Sequence, residues 1–146
     1  MNPIGYVHRE KSDEDVKDRN IVSRVVLDAE LTDGLIGLDE FSHVYIIFWL
    51  NEFEDTTIKL KKHIFGKPEQ PFVGVFATRS PIRPNFIGQT LVELIKCERN
   101  VLWIRGLDAN DGTPVLDIKP YPDWERGRWI VVREFNAPEW LQRINK

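Results

Sequence analysis

QTLVELIKC-ERN-VLWIRGL, residues 89–107, decides the fold class. Two strand-like stretches, 89–97 and 101–107, are separated only by Glu98-Arg99-Asn100, a polar tripeptide of hairpin-loop length. Upstream, residues 43–50 (HVYIIFWL) form a continuous apolar run rich in β-branched and aromatic side chains, the pattern of a strand buried on both faces. Residues 25–31 (VVLDAEL) alternate, with Val25, Leu27, Ala29 and Leu31 on one face and Val26, Asp28 and Glu30 on the other. Further strands are predicted at 72–78, 115–118 and 129–133, the last preceded by an Arg126-Gly127 turn. Helical signals are few. Gly34 to Phe41 reads as a helical turn, and Asn136 caps a predicted short C-terminal helix with Pro138 in its first turn and Trp140, Leu141 and Ile144 on one side. The prediction is an all-β, β-dominated fold: one small β-barrel with short helical segments, one of them near the C-terminus, spanning residues 1–146 as a single domain.

Composition agrees with an ordinary globular domain. The chain has 146 residues, 42% hydrophobic and 29% charged, with a net charge of −3. The single cysteine, Cys97, excludes a disulfide framework and a multi-cysteine zinc site. No apolar run reaches the ~18 residues of a membrane span, and the N-terminus is polar rather than signal-like. A soluble, cytoplasmic protein without a membrane partner is expected.

The small net charge conceals an asymmetry. Residues 1–55 hold 5 basic and 13 acidic side chains, whereas 56–92 hold six basic ones (Lys59, Lys61, Lys62, Lys67, Arg79, Arg83) and only Glu69. Residues 93–146 balance at 9 and 9. A basic window in an acidic chain suits docking of a polyanion such as RNA; a solvated lysine turn beside unrelated arginines would give the same count.

Common enzyme signatures are absent. There is no G-x-G-x-x-G after a strand, no P-loop and no H-E-x-x-H, and His8, His43 and His63 lie far apart, so no metal is expected. Asp108-Ala-Asn-Asp111-Gly112 has a calcium-loop composition, but its glycine comes one residue early and no glutamate follows at the required distance. Cys97 has no obvious base nearby and reads as a structural thiol.

Two segments carry residue types that are costly unless needed. In GVFATRSPIRPNFIG, residues 74–88, Pro81 and Pro84 fix their own φ and push Ser80 and Arg83 towards extended backbone. A pre-stiffened loop bearing Arg79, Arg83 and Asn85 suits recognition of carboxylate or phosphate, because little ordering entropy remains to be lost on binding. A rigid surface turn with paired arginines is the competing reading. In GLDANDGTPVLDIKPYP, residues 106–122, Asp111-Gly112 is a turn dipeptide with Asp108, Asp117 and Lys119 around it. Those carboxylates suit a cationic or hydroxylated ligand or a base; they equally suit an Asx turn.

At these segments the chain resembles the TrmO/YaeB/TsaA-like family of S-adenosylmethionine-dependent methyltransferases. Pro3-Ile4-Gly5 and the Gly37–His43 run before the apolar strand fit the same pattern, so the resemblance spans most of residues 1–123. It implies a small β-barrel unlike the Rossmann methyltransferases, with S-adenosyl-L-methionine bound near a homodimer interface. The implied activity is methylation of N6 of threonylcarbamoyl-adenosine, just 3′ of the anticodon in tRNA. Few residues follow Asp123, so the chain reads as a short form without the C-terminal domain of bacterial members.

Position by position, the resemblance implies cofactor contacts at Arg79 of the Ala-Thr-Arg-Ser element, at Gln89, at Asn51 and Glu52, and at Asp111, Gly112, Thr113 and Pro114. Phe86 stands where the family has proline. Chemically, Arg79 suits the cofactor's carboxylate, Asp111 or turn carbonyls its sulphonium, and an aromatic such as Phe76 its adenine. Asp111 or Asp117 is the expected acceptor of the N6 proton. Lys59, Lys61, Lys62 and Arg83 are the expected RNA-phosphate contacts, and an exposed aromatic would serve for stacking. Two alternatives stay open: a small-molecule or nucleoside methyltransferase of the same fold, and a non-catalytic module binding S-adenosylmethionine or RNA.

Overall fold

Strand alternation places one set of side chains inward and closes six antiparallel strands on themselves. The strands are β1 (Gly5–His8), β2 (Val22–Leu27), β3 (His43–Trp49), β4 (Lys61–His63), β5 (Phe72–Gly74), β6 (Ile87–Glu98), β7 (Val101–Arg105) and β8 (Pro114–Tyr121), followed by β9 (Trp124–Glu125) and β10 (Arg128–Trp129). The computed structural model describes residues 2–10, 17–121, 124–125, 128–129 and 138. The barrel runs in the order β1-β2-β7-β6-β3-β8 and closes through the pairing of β1 with β8. Closure removes exposed sheet edges, which is how a small β-fold avoids edge-to-edge association.

The core is built from alternate positions: Val25, Val44, Ile46, Leu102, Ile104 and Val115 have no exposed surface. Each such side chain stabilises the barrel by about 1.5–3 kcal/mol relative to exposure. The predicted hairpin at 98–100 is present, with Arg99 at φ 55° and the Asn100 side chain donating to the Leu27 carbonyl at 2.6 Å. Leu107 and Ala109, on the loop after β7, are also buried with this core.

Three strand expectations need correction. The alternation at 25–31 does not continue as a strand: β2 ends at Leu27, and Ala29–Leu35 forms a 3-10 helix that leaves Leu31 41% exposed. Pairing with β1 stops at Gly5, and Thr32 Oγ1 donates to the Ala29 carbonyl at 2.6 Å, so local bonds replace the ladder. The apolar run at 43–50 is not buried on both faces. Val44, Ile46 and Phe48 point inward, while Tyr45, Ile47 and Trp49 are half-buried on the outside. The strand at 72–78 is only three residues long, pairs with β4 outside the barrel, and passes into a 3-10 turn, Val75–Ala77, closed by Thr78 Oγ1 donating to the Val75 carbonyl at 2.7 Å. The helical turn expected within 34–41 is found as the end of the first 3-10 helix and a second one, Leu38–Glu40. Trp129 pairs with Trp124 across β9–β10. Residues 130–133, Arg126-Gly127 and the C-terminal helix expected after Asn136 lie outside the described residues, Pro138 excepted.

Candidate functional site

Arg79 sits on the loop between β5 and β6. Its Nη2 donates to the Gln89 carbonyl, so the two expected cofactor residues are brought together. The loop is braced from within: Ser80 N donates to Thr78 Oγ1 at 3.2 Å, and Arg83 Nη1 lies 3.4 Å from the carbonyls of both Thr78 and Ser80. Arg83 thus faces its own loop. The loop ends against β3, with Leu50 N donating to the Phe86 carbonyl at 2.7 Å. Phe86 has φ 50°, a value a proline ring cannot adopt, so a proline here would require a different local backbone. Next to it, a Cβ on Gly88 would come within 2.4 Å of the Phe48 ring, so only glycine lets β6 pass this close.

Gln89 faces outward from β6 and pairs with Ile47, which pairs on its other side with Asp117 of β8. Gln89, Ile47 and Asp117 therefore form one row across three strands, roughly 10 Å from end to end at ordinary strand spacing. The register shifts immediately after Ile47, where Phe48 pairs with Val115 and Leu116 is left over as a bulge. Asp117 Oδ1 accepts from Ile118 N at 2.8 Å and Oδ2 pairs with Lys119 at 2.8 Å.

The Asp-Gly-Thr-Pro turn lies against the start of the chain. Asp111 Oδ1 accepts from the backbone N–H of Arg9 at 2.8 Å, Gly112 N donates to the Val7 carbonyl at 2.8 Å, and Val7 N returns a bond to Thr113 at 3.0 Å. Gly112 adopts φ 76°, which the turn requires and glycine permits without strain. Thr113 and Pro114 are buried, so the turn offers a ligand its backbone and Asp111 more than those two side chains. Asn110 donates to both carboxylate oxygens of Glu52, at 2.8 and 3.0 Å. Glu52 follows β3 in the 3-10 turn Asn51–Phe53. The end of β3 thus connects the two groups: Leu50 holds the arginine loop, and Glu52 holds the acidic turn.

Phe76 is 76% exposed, an apolar ring held out to solvent. Lys59 and Lys61 are exposed, and Lys62 Nζ donates to Ser80 Oγ, tying β4 to the arginine loop. Burial pushes the Cys97 thiol up from its ordinary value, with the Asp39 carboxylate adding to the effect, as expected of a structural thiol. Among the described residues no group of three or more His, Cys, Asp and Glu is placed to hold a metal ion, and no helix is long and apolar enough to cross a membrane.

Several supporting residues were not evident from sequence. Arg9 is buried, with Nη1 donating to the Leu107 carbonyl at 3.1 Å, and orders the acidic turn from β1. Thr90 Oγ1 donates to Asp108, whose other oxygen lies 3.4 Å from Arg19. These are long-range contacts between β6 or the N-terminal segment and the 106–113 loop, for which local spacing carries no signal. Asn110 carries no local signal either, because its carboxylate partner is 58 residues away.

A closed six-stranded barrel whose β5–β6 loop holds an arginine against β6, with an Asp-Gly-Thr-Pro turn leading into β8 on the far side of β3, defines a class of small β-barrel domain. The chain belongs to the tRNA-methyltransferase O N-terminal domain family, which matches residues 12–124. A probable S-adenosyl-L-methionine-binding protein of Methanothermobacter thermautotrophicus is 39% identical over 126 residues, covering 83% of this chain and 88% of that one. A tRNA (adenine(37)-N6)-methyltransferase of Homo sapiens is 46% identical over 106 residues, 73% of this chain but 22% of the human one. Among solved structures, a crystal structure of TrmO superposes with TM-score 0.69 at 32% identity, covering 94% of this chain and 62% of that one. The chain therefore spans less than two thirds of the TrmO structure and about a fifth of the human enzyme.

Proposed function

We propose that this chain is an S-adenosylmethionine-dependent methyltransferase acting on N6 of adenosine in tRNA, and specifically on threonylcarbamoyl-adenosine beside the anticodon. The observation carrying this reading is Arg79: an exposed guanidinium anchored on the Gln89 carbonyl, with no carboxylate in ion-pair contact among the described residues, in a chain whose relatives are named for S-adenosylmethionine binding. The cytoplasm, where tRNA is modified, is its proposed location.

The donor set fits the cofactor. Arg79 suits a carboxylate, exposed Phe76 offers an apolar plane, and Asn51, Glu52, Gln89 and the Asp111–Pro114 turn supply amide, carboxylate and backbone groups for the remainder. When bound, S-adenosylmethionine supplies an electrophilic methyl group. The chain's part is to align the adenosine amine with it and exclude water, since correct placement accounts for much of the barrier reduction in a displacement. Asp111 or Asp117 would accept the N6 proton as the methyl group passes to N6 and its bond to the cofactor's sulphur breaks. Asp117 is supported by its row with Gln89, and Asp111 by its place in the turn beside Glu52 and Asn110.

A homodimer is part of the proposal. The outer face of β6, β3 and β8 leaves Ile87, Leu91, Ile95 and Tyr121 between 38% and 45% exposed, with Tyr45 and Tyr121 in an edge-on ring contact at 5.8 Å. Gln89 lies within this apolar face, so a second copy seated there would cover the edge of the cofactor site. Lys59 and Lys61 are the proposed phosphate contacts, joined by Lys62 and Arg83 if these exchange Ser80 Oγ and the loop carbonyls for phosphate oxygens.

Transfer of labelled methyl groups to threonylcarbamoyl-modified tRNA tests the function. Incorporation that requires the modification supports the full reading. Cofactor binding without incorporation into any tRNA, modified or not, would overturn it and leave the small-molecule or binding-module reading.

A further inference from the structure

We infer that the β4–β5 hairpin is a stacking platform for unpaired bases of a single-stranded RNA segment, an inference that rests on the proposal that RNA is the substrate. β4 and β5 form a separate two-stranded sheet standing outside the barrel. Its register, Lys61 with Gly74, Lys62 with Val73 and His63 with Phe72, sorts the side chains onto two faces. Lys62 turns towards Ser80 and the barrel loop. The opposite face carries Lys61, His63 and Phe72, with the His63 and Phe72 rings 4.9 Å apart and His63 Nδ1 bonded to Gln70 O at 2.7 Å. Phe72 is 60% exposed, and Phe65 in the turn between the strands is 70% exposed.

Bare phenylalanines on a small hairpin bury little against their own chain, so what they fit must come from outside. The charge around them selects the partner. Lys61 on β4, Lys67 in the turn between the strands and Lys59 just before β4 are exposed, and none of them makes an ion pair among the described residues, although Glu69 lies in the same turn region. Exposed aromatic rings interleaved with unpaired lysines match a polyanion that also presents flat apolar faces, which is the chemistry of an unpaired polynucleotide strand. A paired A-form helix presents phosphates without accessible base faces, so a loop is the fitting element.

The test uses the full chain, a short single-stranded oligoribonucleotide, and a duplex of the same composition. Phe65→Ala with Phe72→Ala is expected to weaken single-strand binding about 10-fold or more while leaving the slope of log affinity against log salt unchanged. Phe65→Tyr with Phe72→Tyr should restore affinity. Lys61→Gln with Lys67→Gln should instead reduce that slope by about 0.7 per lost contact. Unchanged single-strand affinity in the alanine variant overturns the inference, as does equal loss on the duplex. If sedimentation shows that the alanine variant alters the oligomeric state, the hairpin is an interface between copies of this chain and the inference fails. These arms need no turnover. Absence of methyl transfer with intact oligonucleotide binding would reject the proposed activity and leave the platform standing.

Discussion

On the outer face of β2, β7 and β6, Arg24 pairs with Glu10, Lys96 with Glu98 and Arg105 with Glu93, and both Arg24 and Lys96 also lie over the Trp103 ring at 5.3 and 4.9 Å. Across residues 56–92 the same kinds of side chain make no ion pair among the described residues. Lys62 and Arg83 are held by hydroxyl or carbonyl oxygens, Arg79 by one carbonyl, and Lys59, Lys61 and Lys67 are exposed. Cations neutralised within the sheet contribute a few tenths of a kcal/mol to cross-strand pairing and little external field. Cations facing neutral groups keep their charge available, and this segment is where charge count, unpaired state and the proposed cofactor loop coincide.

Arginine-to-alanine exchange in each region gives the sharpest test of that contrast. Arg79→Ala is expected to weaken S-adenosylmethionine binding about 10- to 100-fold by calorimetry, the loss expected for one charge-assisted contact, with little change in stability. Arg105→Ala should leave cofactor affinity unchanged and cost less than about 1 kcal/mol in urea unfolding. Equal cofactor affinity in both variants would remove Arg79 from the site.

A smaller effect is expected from the lysines. Neutralising Lys59, Lys61 and Lys62 together with glutamine should raise the tRNA KM roughly 10-fold at moderate salt and lower the magnitude of its salt slope by about 2, with kcat retained. An unchanged KM and a salt-independent reaction would favour a small substrate. That outcome would also mean the unpaired charge of 56–92 is merely solvated.

The barrel was legible because its signals are local. Alternation and the 98–100 turn lie within a dozen residues of one another, and closure follows from short strands with short connections. The apolar run at 72–78 imitates a longer strand because it contains one buried side chain, Val75, within a largely exposed hairpin and turn. The site was legible only as motifs. Arg79 and Gln89 are ten positions apart and meet through a loop return, whereas Asp111 is organised by Arg9 from 102 residues away. Such pairings are set by barrel topology, and no spacing rule within the chain encodes them. Outward residues of β6 and the bare rings of the hairpin were equally invisible, since apolar residues in strands are read as core until a register assigns their face.

The neutral counterpart of the charged contrast is Cys97, on the barrel side of the molecule. Burial, and then the negative charge of Asp39, disfavour its thiolate and raise its pKa above 9.0 in the folded chain. For an acid whose folded pKa is raised, the stabilisation of the folded state is complete below the unfolded value and is lost as pH rises through the folded one. Cys97→Ser removes that titration while leaving the lysines and tyrosines in place. The stability difference between the two chains should therefore be flat from about pH 6 to pH 8 and shift against the wild type above about pH 9. Alkylation of Cys97 by iodoacetamide near pH 8 should likewise run slower than that of a peptide thiol, because less thiolate is present. A difference that stays flat to strongly alkaline pH, or alkylation at the peptide rate, would show that this strand end is open to solvent. The barrel side would then be no better sealed than the hairpin it is contrasted with.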